Sequence, residues 1–168
     1  MRLSPTFTLR SGLVCAALLT LGCQTEIPAD ATPPGTDLPA VGTLTFDELD
    51  LAGCGLTLLA PGTDSRIEGF YLFSGLPNDT DPSGSMRMKL NNDVVNFVRT
   101  ATSGEALMGG QFTSQTFVSQ DGQTTVVVDI TRLAPEADQE VVPIEEATIR
   151  IEQGGESLTL TATGDTGC

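Results

Sequence analysis

ATIRIEQGGESLTLTAT, residues 147–163, decides the fold. Ala147, Ile149 and Ile151 alternate with Thr148, Arg150 and Glu152. After Gly154-Gly155 the alternation resumes, with Leu158, Leu160 and Ala162 set against Thr159, Thr161 and Thr163. A period of two puts one set of side chains in a core and the other in water, and two adjacent glycines supply the positive φ angles of a tight hairpin turn. The same signature recurs upstream. Phe112 to Val118 and Thr124 to Ile130 flank Asp121-Gly122, and Met86, Met88 and Leu90 lead through Asn91-Asn92 to Val94, Val95, Phe97 and Val98. Earlier strands are expected at Gly42 to Phe46, Gly55 to Leu59 and Ile67 to Phe73. A single helical turn fits Asp47 to Leu51 or Pro135 to Glu140. No segment sustains a helical period, so residues 41–168 read as an all-β domain: an antiparallel β-sandwich or small barrel of about nine strands.

The first 22 residues have a different character. Arg2 and Arg10 precede an uncharged stretch from Ser11 to Gly22, which ends Leu19-Thr20-Leu21-Gly22-Cys23. Twelve residues fall short of the roughly 20 that a membrane-spanning helix needs, and a basic start, an apolar centre and a small residue at the end form the layout of an export signal. The segment resembles the signal of bacterial lipoproteins. That resemblance implies that residues 1–22 are removed, that the sulfur of Cys23 carries a diacylglycerol, and that the new amino terminus is acylated. Gln24, where the family's inner-membrane retention signal has Asp, implies the outer membrane in a cell with two membranes. Several acyl chains hold a protein stably, so the membrane is expected as a partner through the anchor only.

Residues 23–40 carry the lipidated cysteine and a linker, QTEIPADATPPGTDLPA, with Pro28, Pro33, Pro34 and Pro39. Such a tether favours extended geometry and reaches up to about 50 Å at roughly 3.1 Å per residue. The chain as written has a net charge of −14. Removing the signal takes two arginines and no acid, leaving 6 basic against 22 acidic side chains, or −16. Phosphate backbones and anionic headgroups repel that surface, so no nucleic-acid partner is expected.

Four cysteines are present. With Cys15 in the signal and Cys23 lipidated, Cys54 and Cys168 remain as a pair in an oxidising compartment, where a disulfide is the expectation. Two buried free thiols or a redox pair are the other readings, although Cys-x-x-Cys spacing and activating basic neighbours are missing. The domain also resembles small bacterial lipoproteins with an early Gly-Cys-Gly, here Gly53-Cys54-Gly55, and a glycine-rich ending in cysteine, here Gly164-Asp165-Thr166-Gly167-Cys168. No activity follows from that resemblance, but it implies the terminal disulfide.

The chemistry is bounded mainly by what the chain omits. It has no histidine, which removes Ser-His-Asp and Cys-His catalysis and the His-containing metal sites. Lys89, the one lysine, falls on the polar side of an alternating strand, where a solvated position is expected. No glycine-rich loop leads from a strand into a helix to hold phosphates. The single metal-like pattern is Asp79-Thr80-Asp81-Pro82-Ser83-Gly84, where Asp79, Asp81 and Ser83 space oxygen ligands as in the first half of a calcium loop; Asp64 and Asp165 are further ligands if the fold brings them near. Leu90 stands where the bidentate Glu would close an EF-hand, and any polar surface turn uses the same residues. Beyond this site for Ca, no cofactor is expected. Tyr71 and most phenylalanines fall within strands and there is no tryptophan, so glycan binding is disfavoured. The acidic stretch PEADQEVVPIEE, residues 135–146, reads as a solvated loop at a sheet edge or as a surface for an envelope protein with a basic face. These features lead us to expect a non-catalytic binding or structural module, lipid-anchored at the cell envelope, with a calcium-stabilised adhesion or ligand-binding domain as the alternative.

Overall fold

A computed structural model describes residues 38–49, 54–75, 85–135 and 140–167. The chain divides into two units, Met1–Pro34 and Gly35–Cys168, and every described residue belongs to the second. Eight strands follow one another: β1 (Gly55–Leu59), β2 (Leu72–Gly75), β3 (Ser85–Leu90), β4 (Asp93–Ala106), β5 (Phe112–Ser119), β6 (Thr124–Leu133), β7 (Val141–Gln153) and β8 (Glu156–Gly167). Each pairs antiparallel with the next, and β8 returns to pair with β1, so the sheet closes into an up-and-down barrel. Closure leaves no sheet edge exposed.

The tight turns form where the sequence places residues that tolerate positive φ. Asn91 (φ 52°) and Asn92 (φ 70°) join β3 to β4, and Gly154 (φ 60°) and Gly155 (φ 87°) join β7 to β8. Between β5 and β6 the Asp121 carboxylate accepts hydrogen bonds from the Ser119 hydroxyl and the Gln123 N–H. The alternating apolar residues then meet inside the barrel. Leu56, Leu72, Met88, Phe97, Phe117, Val128, Ile149 and Ala162 belong to one continuous buried cluster spanning all eight strands. Paired residues climb steeply around this core. From Leu56 the ladder leads through Ser74, Met86 and Phe97 to Ser119, the last residue of β5. In the other direction it leads to Thr166 near the end of β8 and Val142 near the start of β7. That stagger is the shear a tilted-strand barrel requires.

Three expectations are corrected. The ninth strand, Gly42 to Phe46, is reduced to the isolated bridges Val41↔Leu90 and Leu44↔Phe70, followed by a 3-10 turn at Phe46–Glu48. The barrel is already closed, so this segment has no ladder to join. It lies against the outside instead, where Leu44, Leu49 and Phe70 form a second cluster with Phe73. The strand expected from Ile67 begins as a short helix, α1 (Ser65–Glu68), because the Asp64 carboxylate caps the Arg66 N–H and Gly69 at φ 76° ends the turn. The strand proper starts at Leu72. Finally, the acidic stretch 135–146 is not all loop: residues 136–139 lie outside the described residues, but Val141 to Glu146 opens β7. The far half of β8 supplies its partner, with Val142 opposite Thr166 and Ile144 opposite Gly164, and Ile144 is buried. The β7–β8 hairpin thus continues past a bulge between Ile144 and Ala147 to the start of this stretch.

Candidate functional site

One end of the barrel holds a polar network where the alternation alone would place hydrophobic side chains. The connection from β4 to β5, Leu107 to Gln111, bends over this end through a 3-10 turn at Met108–Gly110, in which Gly109 (φ 68°) and Gly110 (φ 65°) take left-handed conformations. The Leu107 N–H donates to Gln111 O at 2.8 Å, closing the loop on itself. On the far side the Thr166 hydroxyl of β8 donates to Met108 O at 3.3 Å, so the loop reaches across to the opposite wall.

Gln111 is fully buried, and its Nε2 donates to Ser74 O (3.3 Å), Gly75 O (3.2 Å) and Gly109 O (3.4 Å). Arg99 joins this contact to β5: its Nη1 donates to Gly110 O and to Gln115 Oε1, each at 2.8 Å, and the guanidinium lies 5.8 Å from the centre of the Phe112 ring. Ser74, Gln111 and Gln115 are 0%, 0% and 1% exposed, while Arg99 at the edge of the network is half-buried.

The partners fix both amide orientations. Carbonyl oxygens only accept, so the Gln111 group facing them is the NH2; guanidinium only donates, so the Gln115 group facing Arg99 is the oxygen. The opposite atom of each amide is left over. Gln111 Oε1, Gln115 Nε2 and Ser74 Oγ are buried with no hydrogen-bond partner among the described residues. Leaving such an atom unpaired costs about 1–3 kcal/mol, so three at one end of a small barrel are a concentrated cost. Among the described residues every buried polar side chain is neutral: Ser74, Gln111, Gln115 and Thr166 at this end, Ser119 and Thr124 elsewhere.

Apart from Arg99, the charged groups that make ion pairs or show a shifted pKa lie outside this network. Lys89 is not free in solvent as its strand position suggested: its Nζ is 2.6 Å from Glu48, and its side chain is 19% exposed. The Lys89 ammonium, and after it the Thr45 N–H, hold the Glu48 carboxyl below its ordinary pKa. The Ser119 hydroxyl, followed by the Gln123 N–H, does the same for Asp121. Arg132 pairs with Glu145 and Glu146, and Arg150 with Glu152. A hollow of about 450 Å³ lies at the other end of the barrel, lined by Gln123, Glu152, Gln153, Gly154, Gly155, Glu156 and Ser157. It shares no residue with the polar network.

Of the residues singled out in the sequence, Cys54 is disulfide-bonded and immediately precedes β1. Cys23, Cys168, Asp79, Asp81 and Ser83 lie outside the described residues. Asp64 serves as the cap of α1, and Asp165 accepts from the Thr57 hydroxyl at 3.0 Å. Among the described residues no group of three His, Cys, Asp or Glu is placed to hold a metal, and no helix is long and apolar enough to cross a membrane. Phe97 and Phe117 are in the core, whereas Phe46 is 45% exposed with its ring edge-on to Phe70. Sequence reasoning passed over the polar network. The available signal was parity: Ser74 shares the inward face with Leu72, Arg99 with Phe97 and Gln115 with Phe117.

The chain matches no protein-family model, no curated protein and no solved structure.

Proposed function

We propose that this protein is a lipid-anchored, non-catalytic binding module of the bacterial cell envelope, held by an acylated Cys23 and a proline-rich tether. The observation that carries the binding part is the buried polar network at the β4–β5 end of the barrel, where three side-chain atoms are dehydrated without a partner. Acid-base chemistry needs a titratable group at the reacting centre, and the buried polar groups here are amides and hydroxyls. Neutral donors and acceptors held rigidly by strand backbones suit recognition instead. The anchor part rests on residues 1–23 of the sequence, and the mature charge of −16 is compatible with attachment through acyl chains rather than through basic side chains.

The anchor is tested by expressing the full chain in a bacterium fed an alkyne-tagged fatty acid. Label should enter the protein and be lost in Cys23→Ser, which should also leave the membrane fraction. Labelling that survives Cys23→Ser, or a variant that stays membrane-bound, would overturn the reading.

A further inference from the structure

We propose that the β4–β5 end of the barrel binds a small uncharged molecule through a carboxamide or hydroxyl group, with Ser74, Gln111 and Gln115 as its direct contacts. This rests on the binding-module reading and names the ligand chemistry of the same site. The leftover atoms state what they need. Gln111 Oε1 requires a donor, Gln115 Nε2 requires an acceptor, and Ser74 Oγ takes either role. A carboxamide offers an N–H and a C=O side by side, and a hydroxyl does both from one oxygen. A carboxylate offers acceptors only and meets Gln111 Oε1 with like polarity. The sole cationic group of the network, the Arg99 guanidinium, already donates to Gly110 O and Gln115 Oε1.

The three atoms belong to one assembly. Ser74 and Gln111 are joined through Ser74 O, and Gln111 and Gln115 through Gly110 and Arg99. They project from β2, β5 and the connection between β4 and β5. Entry requires the Leu107–Gln111 connection to move aside. Its bonds across the barrel are those of Gln111 to Ser74 O and Gly75 O and of Thr166 to Met108 O, all 3.2–3.3 Å, at or just beyond the long end of the normal range. These bonds re-form once the ligand is inside, so Gln111 keeps the orientation set by the carbonyls and the ligand adds bonds to the leftover atoms.

The test uses the full chain purified in detergent and follows the side-chain NH2 resonances of Gln111 and Gln115 by NMR during titration with acetamide, glycerol or acetate. Acetamide and acetate have the same shape and differ in charge and donors. Saturable shifts of these resonances are expected with acetamide or glycerol and not with acetate. Ser74→Ala removes an oxygen that makes no hydrogen bond within the described fold, so it should fold as the wild type does while weakening probe binding by about threefold to tenfold. Binding unchanged in Ser74→Ala, tighter binding of acetate, or no saturable shift with either neutral probe overturns the proposal. A persistent magnetisation transfer from water to the Gln115 NH2, unaffected by any probe, overturns it by showing an ordered water only. In each of those cases the anchor is still judged separately by the Cys23→Ser labelling.

Discussion

Replacing Gly164 with alanine tests the closure of the barrel where β8 meets β1. Gly164 lies opposite Leu58 of β1 and Ile144 of β7, in the middle of three adjacent strands. A Cβ at this position would stand 1.9 Å from Thr57 O, 2.9 Å from Thr57 C and 3.1 Å from the Leu58 Cα. All three are backbone atoms, so no rotamer change relieves the clash. Ordinary contact begins at 3.4 Å, and β1 must therefore withdraw by well over an ångström. The β1–β8 ladder extends only from Gly55↔Gly167 to Leu59↔Thr163, and such a displacement stretches its neighbouring hydrogen bonds beyond useful length. Losing two or three bonds at about 1 kcal/mol each, with strain of about 1–3 kcal/mol, gives a destabilisation of about 3–6 kcal/mol. For a domain of this size that lowers the melting temperature by roughly 10–20 °C. The control is Gly75→Ala, whose Cβ would meet nothing closer than 3.6 Å, from the Phe73 ring, and which should change stability by less than about 0.5 kcal/mol. Urea unfolding of the three proteins measures both effects. A Gly164→Ala variant within 0.5 kcal/mol of wild type would refute the tight β1–β8 seam.

Acid should weaken the Glu48 contact in a defined window. Lys89 holds the folded Glu48 pKa below its ordinary value of 4.5, so the contribution is complete above that value and disappears as the pH falls through the lower folded value. The melting-temperature gap between wild type and Glu48→Gln should be open at pH 7 and narrow as the pH falls below 4.5; a gap independent of pH would contradict this. Phe117→Ala, which empties a fully buried site in the barrel, should cost about 3–5 kcal/mol in urea unfolding, and a cost below 1 kcal/mol would show that the interior is not packed as described. Non-reducing peptide mapping should join Cys54 to Cys168, since the neighbouring Gly55 and Gly167 are paired across β1 and β8; a Cys54–Cys23 peptide would exclude both that pairing and the lipidated cysteine. Reduction of a loop this long should destabilise by up to about 4–5 kcal/mol.

Residues 147–163 determined their own structure because everything their hairpin needs is local. The period of two selects the faces, and the two glycines supply the turn. The Asn91-Asn92 hairpin was legible for the same reason. Whether eight strands form a sandwich or a barrel is not local, since it depends on β8 pairing with β1 across almost the whole domain. That single long-range ladder left the expected strand at Gly42 no edge to join and made it an external strap, whereas Val141 to Glu146 entered β7 by lengthening the local β7–β8 hairpin. The candidate site was decided in the same way. A serine, an arginine and two glutamines scattered from Ser74 to Gln115 carry no motif, and a polar residue among apolar ones reads in sequence as a minor lapse in alternation. Only the closed barrel, with its β4–β5 connection bent across one end, brings them together and shields the serine and both glutamines from bulk solvent.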